Sequence, residues 1–252
     1  MSNLYWLSED QMARLRPFFP RSHGRPRVDD RRVLSGIIFV NRNGLRWCDA
    51  PKEYGPAKTL YNRWKRWGRL GVFARMMEGL ASEAPEQTTI MIDATHPKAH
   101  RTATNLRSKN GGPGDQRGRL IGRTKGGMNT KLHAVADADG RPIRFFMTAG
   151  QVSDYTGAAA LLSSLPSADW LLADRGYDAD WFREALKHKG IKPCIPGRKS
   201  RAKPIKHDKR RNRIEIMFGR LKDWRRVATR YDRCPKVFLS AIALAATVMF
   251  WL

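Results

Sequence analysis

Acidic residues are scarce in this 252-residue sequence: 23 Asp and Glu stand against 48 Lys and Arg, a formal net charge of +25 at pH 7. A surplus of that size repels itself in a compact state, so it is matched in use by a polyanion, with nucleic acid foremost. Ribosomal or membrane-surface binding is the plainer alternative. Cysteine is scarcer still. Cys48, Cys194 and Cys234 are three, odd in number, far apart and without a Cys-x-x-Cys pair, which argues against a disulfide framework and a zinc site and fits a reducing cytoplasm. Long apolar runs are missing as well. The run "VFLSAIALAATVMFWL" has 16 residues and contains Ser240 and Thr247, short of the roughly 20 that span a bilayer. It reads as a buried helix, and no membrane partner is expected. The opening "MSNLYWLSEDQ" lacks the basic and apolar segments of a signal peptide.

What is present begins with helices. A hydrophobic fraction of 41% can bury a core. Over residues 1–84, Ser8 with Gln11 makes a capping box, Asp29 can cap "DRRVLSGIIFVNRNG", and Pro56 suits a first helical turn. In "PAKTLYNRWKRWGRL", Leu60, Trp64 and Trp67 share one face while Lys58, Asn62, Lys65, Arg66 and Arg69 gather on the other. The aromatic stripe reads as core. The basic face reads equally as a solvated surface or as a helix laid into a DNA major groove, as in helix-turn-helix proteins.

From residue 88 strands alternate with helices. "TTIMIDAT" is a strand; "MNTKLHAVADADGRPIRFFMTAG" is two strands joined by a turn at Asp139 and Gly140; "SDYTGAAALLSSL" is a capped helix, "DWLLADRG" a buried strand, "DADWFREALKHKG" a helix, and "IKPCIP" a short strand before a helical end. That order suggests an α/β layer with a mixed sheet over residues 85–252. Two segments, "AHRTATNLRSKNGGPGDQRGRLIGRTKGG" and "GRKSRAKPIKHDKRR", are expected to become ordered on an anion. Lys125 and Lys131, close to the first of these, read equally as phosphate contacts or as solvated lysines.

Two strands end on an acid: "IMID" on Asp93 and "LLAD" on Asp174. A lone buried charge is expensive, so such an acid caps a helix, pairs with a base or binds a metal. If the two strands are adjacent, their carboxylates meet, which is stable only with a shared proton or a cation. A third acid, Glu215, shares one narrow helical face with Arg211 and Lys222, opposite the apolar stripe Ile214, Met217, Leu221 and Trp224. Its plain reading is a surface ion pair. Among the other acids, Asp139 before Gly140 reads as turn chemistry and Asp178 as the cap of the helix containing Trp181 and Phe182. His96 and His100 stand four apart, but Pro97 disfavours a helix between them, so a zinc motif is weak.

Asp93 in "MIDAT", Asp174 in "ADRGYDAD" and Glu215 in "RRNRIEIMFGRLKDWRRVATRYD" resemble the three acids of the DDE transposases of bacterial insertion sequences, specifically the IS-five family. The likeness covers nearly the whole chain, including the start "LSEDQMARLRPFFP". The family's C-terminal signature is Tyr, two residues, Arg, three residues, Glu, six residues, Lys; Arg211, Glu215 and Lys222 satisfy it, but Asp208 stands at the Tyr position. The resemblance implies an RNase H-like catalytic domain (85–252) preceded by an all-helical, helix-turn-helix-type DNA-binding domain (1–84). It implies two Mg²⁺ ions, with Mn²⁺ as a substitute, held by Asp93, Asp174 and Glu215. It implies contacts from Arg211 and Lys222 to DNA, double-stranded transposon ends and target DNA as partners, a homodimer on DNA, and a cytoplasmic, nucleoid-associated location. The expected activity is cleavage of inverted-repeat ends and joining of their 3′ ends to target DNA. The separation of 41 positions from Asp174 to Glu215 leaves no room for the large β-rich insertion of some relatives. A catalytically silent DNA-binding regulator, or a structure-specific nuclease of the same fold, is the alternative.

Overall fold

A computed structural model describes residues 4–20, 29–84, 87–104, 116–198 and 211–252. Much of the two segments expected to order on an anion, 105–115 and 199–210 with Asp208 in the latter, lies outside the described residues. The chain begins with α1 (Glu9–Leu15) and α2 (Asp30–Asn43). Ser8 and Gln11 form the reciprocal capping box at 3.1 and 3.0 Å, and the Asp29 side chain accepts from Arg31 N at 2.9 Å. Next come α3 (Ala57–Arg69), with Pro56 at its N-cap, and α4 (Val72–Ser82). Leu60, Trp64 and Trp67 are buried and Lys58, Asn62, Arg66 and Arg69 exposed, as the 3.6-residue period requires.

The second half supplies β1 (Thr89–Thr95), β2 (Lys98–Ala99), α5 (Arg101–Thr104), β3 (Gly122–Thr124), β4 (Gly127–Asp137) and β5 (Pro142–Ala149). Then follow α6 (Asp154–Leu162), β6 (Trp170–Ala173), α7 (Asp180–His188), β7 (Lys192–Cys194), α8 (Asn212–Lys222), α9 (Arg225–Ala228), β8 (Thr229–Arg230) and α10 (Pro235–Ala246). Five strands lie in the order β5–β4–β1–β6–β7, antiparallel from β5 to β1 and parallel from β1 to β7. This is the mixed sheet of an RNase H-like domain, and a helical region precedes it. The short strands β2, β3 and β8 lengthen the sheet beyond β4. Their two or three residues are too few to show a period-2 pattern in the sequence.

Alternation along the strands divides the core. Met91, Leu132, Ala134, Ala136 and Leu172 face α1–α4, α8 and α10 in one apolar cluster. Ile90, Ile92, Val135, Leu171 and Ala173 face α6 and α7 in another. The C-terminal apolar run is the buried helix expected of it: α10 and a final π-helical turn, Thr247–Trp251, pack on α2, α3, α4 and β5. Trp251 Nε1 donates to the Pro142 carbonyl at 3.0 Å, and Arg14 Nη1 donates to the Trp251 carbonyl at 2.7 Å. Among the described residues no helix is long and apolar enough to cross a membrane.

Two local expectations resolve differently. The β4–β5 turn is built as the sequence suggests: Gly140 has φ +82°, and the buried Asp137 carboxylate accepts from Asp139 N, Arg141 N and Arg141 Nε at 3.0, 2.8 and 2.7 Å. Asp178, in contrast, is not the cap of α7. Ala179 occupies that position without a side-chain bond, and Asp178 is 3% exposed. Its Oδ1 accepts from Arg183 Nε at 2.8 Å and its Oδ2 from Arg198 N at 2.7 Å. Asp178 ends the turn before α7, so its carboxylate points into the domain, where burial demands a charged partner.

His133 on β4 is fully buried beneath α6, at a contact where a Cβ on Gly157 would stand 2.1 Å from its Nδ1. Its Nε2 shares a 3.0 Å hydrogen bond with Thr148 Oγ1, and its Nδ1 has no partner among the described residues. Burial, reinforced by the Lys131 charge, lowers its pKa from 6.5 to about 4. The unfolded chain therefore takes up a proton near pH 6.5 and the folded chain only near 4. The stability that neutral His133 contributes is fully present above pH 6.5 and is lost as pH falls toward 4, by about 3 kcal/mol at most. We expect denaturant midpoints measured across pH 4 to 7 to fall less steeply for His133→Gln than for the parent; parallel curves would remove His133 as a source of acid lability.

Candidate active site

The apolar runs Ile90–Ile92 of β1 and Leu171–Ala173 of β6 are buried, and they lie side by side in parallel with Ile92 opposite Ala173. The next residue on each chain is the acid, so Asp93 and Asp174 emerge together where the two strands part. Asp174 also caps a short 3₁₀ turn, Arg175–Tyr177, its Oδ1 accepting from Gly176 N at 2.8 Å. Capping and clustering are thus not exclusive here.

Glu215 arrives from α8, whose Ile214, Met217 and Leu221 anchor it in the core and turn the opposite face toward the end of β1. Arg211 stands at the N-cap of this helix. Its Nη1 lies 3.1 Å from Asp93 Oδ2 and its Nη2 lies 2.7 Å from Glu215 Oε1. One guanidinium therefore bridges the first and third acids. At the last residue of the helix, Lys222 Nζ donates to Thr95 Oγ1 at 2.7 Å, and burial lowers its pKa. The Arg211, Glu215 and Lys222 face borders the strand ends.

Asp93 records the crowding. Burial raises its pKa from 3.8 to about 6; the Ala94 N–H, bound at 2.7 Å, and the Arg211 charge pull it down, while Asp174 and Glu215 push it up. Asp93 thus feels the charges of both other carboxylates. Together they offer only oxygen donors, the chemistry that suits Mg²⁺ and Mn²⁺. Among the described residues no three His, Cys, Asp or Glu side chains stand as a ready metal cage; the positive charge between Asp93 and Glu215 is that of Arg211.

The structure adds Asp154 and Tyr177, which the sequence did not single out, and gives Lys131 a different role. Asp154, first residue of α6, approaches the same turn: a Cβ on Gly176 would lie 2.9 Å from Asp174 Oδ1 and 3.4 Å from Asp154 Oδ2. Lys131 is neither solvated nor free for phosphate, being 7% exposed with its Nζ 2.9 Å from Asp154 Oδ1 and 3.0 Å from the Val152 carbonyl. Tyr177 is buried behind this group, its hydroxyl without a partner among the described residues, and its pKa is raised by burial and further by Asp154, Asp93 and Asp174. The signal for the ion pair was legible: Lys131 lies amid the apolar positions of a buried strand, and a lysine there needs an acid partner.

The basic side chains of α3 lie elsewhere, on the helical layer. Lys58, Asn62, Arg66 and Arg69 are exposed, and the partly exposed Lys65 holds its Nζ 5.3 Å from the Tyr61 ring centroid. Lys125 is exposed in the tight turn joining β3 to β4.

Residues 7–77 match the family described as "Putative transposase of IS4/5 family", and residues 171–252 match a transposase DDE domain. A 131-residue stretch is 37% identical to the "Putative transposase for insertion sequence element IS6501" of Brucella ovis, spanning 50% of this chain and 99% of that one. The "Putative transposase for insertion sequence element IS402" of Burkholderia cepacia is 28% identical over 156 residues, 53% of this chain and 72% of that one. Among solved structures, the piggyBac transposase in its synaptic complex with hairpin DNA has a TM-score of 0.55 at 7% identity, covering 97% of this chain and 72% of that chain, a likeness of fold alone.

Proposed function

The chain belongs to the IS4/5 family of insertion-sequence transposases, and on that premise we propose that it binds the inverted-repeat ends of its own element, cleaves them and joins their 3′ ends to target DNA. The observation that carries this reading is the pairing of β1 with β6, which sets Asp93 and Asp174 at neighbouring positions, together with the Arg211 guanidinium that bridges Asp93 to Glu215. Asp93, Asp174 and Glu215 are the carboxylates that would hold a pair of divalent ions, Mg²⁺ with Mn²⁺ as a substitute. Divalent ions bound there would supply the Lewis-acid chemistry that in-line displacement at phosphorus needs, activating the attacking oxygen and stabilising the leaving one. Arg211 neutralises Asp93 and Glu215 and, when those acids take another cation, its planar fork is free for a phosphate of the bound strand. Lys222 faces the same strand end. Water is the attacking group in end cleavage and the freed 3′ hydroxyl in strand transfer.

Residues 1–84 act in this scheme as the end-binding part and residues 85–252 as the catalytic part, working as a homodimer that brings two ends together. The helix α3 presents its polar face to the DNA, and Lys125 adds a phosphate contact from the β3–β4 turn. Joint replacement of Lys58, Lys65, Arg66 and Arg69 by Ala is expected to weaken end binding at least tenfold while leaving the melting temperature unchanged. The slope of log affinity against log salt should shrink by about one unit for each phosphate that the variant no longer neutralises. An unchanged salt slope would take α3 out of the interface.

The reaction itself is tested with a labelled duplex carrying one inverted repeat, in Mg²⁺, with products read on a denaturing gel. Specific nicks at the element boundary, followed by joined products when target DNA is added, are the expected result. Nicks without joining would indicate the nuclease instead. Binding without nicks would favour a silent regulator, a reading that the intact acids Asp93, Asp174 and Glu215 argue against.

A further inference from the structure

The acid cluster has a neighbour that the scheme above leaves without a task. Asp174 opens the turn Arg175–Tyr177 and Asp178 closes it. On the far side of that turn, Asp178 is a hub. Its carboxylate holds Arg183 Nε and the backbone N of Arg198, and its carbonyl accepts from the Tyr155 hydroxyl at 3.1 Å. Tyr155 in turn follows Asp154, which adjoins Asp174 across Gly176. The guanidinium of Arg198 lies 5.3 Å over the Tyr155 ring and also hydrogen-bonds the Tyr155 hydroxyl. Against Tyr155, at 6.4 Å between centroids and nearly edge-on, stands Trp181, 44% exposed.

An indole left that exposed forgoes hydrophobic stabilisation that burial would give it. Here it stands on the first turn of α7 against Tyr155, the ring that carries the Arg198 guanidinium, and against the buried Phe182 at 5.4 Å between centroids. A flat, partly wet aromatic face with a guanidinium beside it is the surface on which an unpaired base stacks while its phosphate pairs with the cation. We infer that Trp181, Tyr155 and Arg198 form a ledge that takes an unpaired nucleobase and its adjoining phosphate from the DNA strand presented to the acids, an assignment that rests on the transposase reading above. Place in the fold separates this ledge from a similar pair. Trp170 is also 44% exposed and has Lys192 Nζ 5.3 Å from its ring, but it begins β6, at the opposite end of that strand from Asp174. It therefore serves as the internal control.

The test uses the full chain, without added metal, and two fluorescent duplexes bearing the element's end: one blunt, the other with a three-nucleotide single-stranded tail containing 2-aminopurine. Stacking of one base corresponds to about a 5- to 150-fold gain, so the parent is expected to bind the tailed duplex about tenfold tighter than the blunt one and to quench the 2-aminopurine. Trp181→Ala should abolish both the preference and the quenching with blunt-duplex affinity and melting temperature unchanged, Trp181→Phe should keep most of both, and Trp170→Ala should behave as the parent. No preference in the parent, or a preference that survives Trp181→Ala or disappears in Trp170→Ala, would overturn the ledge. A parent that prefers the tail yet cuts nothing when Mg²⁺ is supplied would support the ledge and sink the transposase reading, so the two failures are separable.

Discussion

Asp174→Asn protein is expected to bind end DNA as tightly as the parent and to leave both strands uncut, a loss on the order of a thousandfold or more in each chemical step. Asn is the sharper substitution because it keeps an oxygen for Gly176 N, the bond that caps the following turn at 2.8 Å; Ala would remove the cap as well, at about 1 kcal/mol. Asp93→Asn and Glu215→Gln should give the same result, since cleavage and strand transfer both need all three carboxylates placed to within a fraction of an ångström. Binding survives because affinity comes from the Lys and Arg surface, and removing an acid makes that surface more positive. Nicking near the parental rate by any of the three variants would remove that residue from the chemistry.

Asp178→Ala is expected to lower stability by about 3 to 5 kcal/mol, because it leaves the Arg183 guanidinium buried without its counter-charge. For a chain of this size that corresponds to a fall in melting temperature on the order of 10 °C. Read as a helix cap, the same residue would cost about 1 kcal/mol, so thermal melting separates the two accounts. The pair Asp178→Ala with Arg183→Leu should recover much of the loss, since two apolar groups replace a broken ion pair. A shift no larger than that of a missing cap would mean that Arg183 finds another acceptor.

The contrast between Asp174 and Asp178 shows where sequence reasoning reached and where it stopped. Asp174 was legible because its signal is local: three apolar residues closing on an acid, matched by Asp93, with the helical wheel placing Glu215 on the face opposite Ile214, Met217 and Leu221. The Ser8 and Gln11 box and the Asp29 cap are equally local. Asp178 reads as a cap in the sequence because one of its two partners, the backbone N of Arg198, comes from the segment after β7, 20 positions on, although the other, Arg183, lies only five positions away. No period or spacing encodes a contact that exists only once the sheet has formed. The bridge from Arg211 to Asp93, 118 positions apart, was hidden for the same reason. The wheel put Arg211 beside Glu215 but could not say which strand end the helix would meet.

The position of α10 bears on how the chain comes to be folded at all. The apolar faces of α2, α3 and α4 are covered by α10, a segment that leaves the ribosome roughly 150 residues after α4 is complete. At about 5 to 20 residues per second that interval is on the order of 8 to 30 s. During it the N-terminal helices can form as local structure but have no permanent cover for their apolar sides. Newly made chains should therefore be substrates for trigger-type holdases and prone to self-association when synthesis is fast, and the slow step of refolding from denaturant should be the docking of α10, whose contacts span most of the sequence.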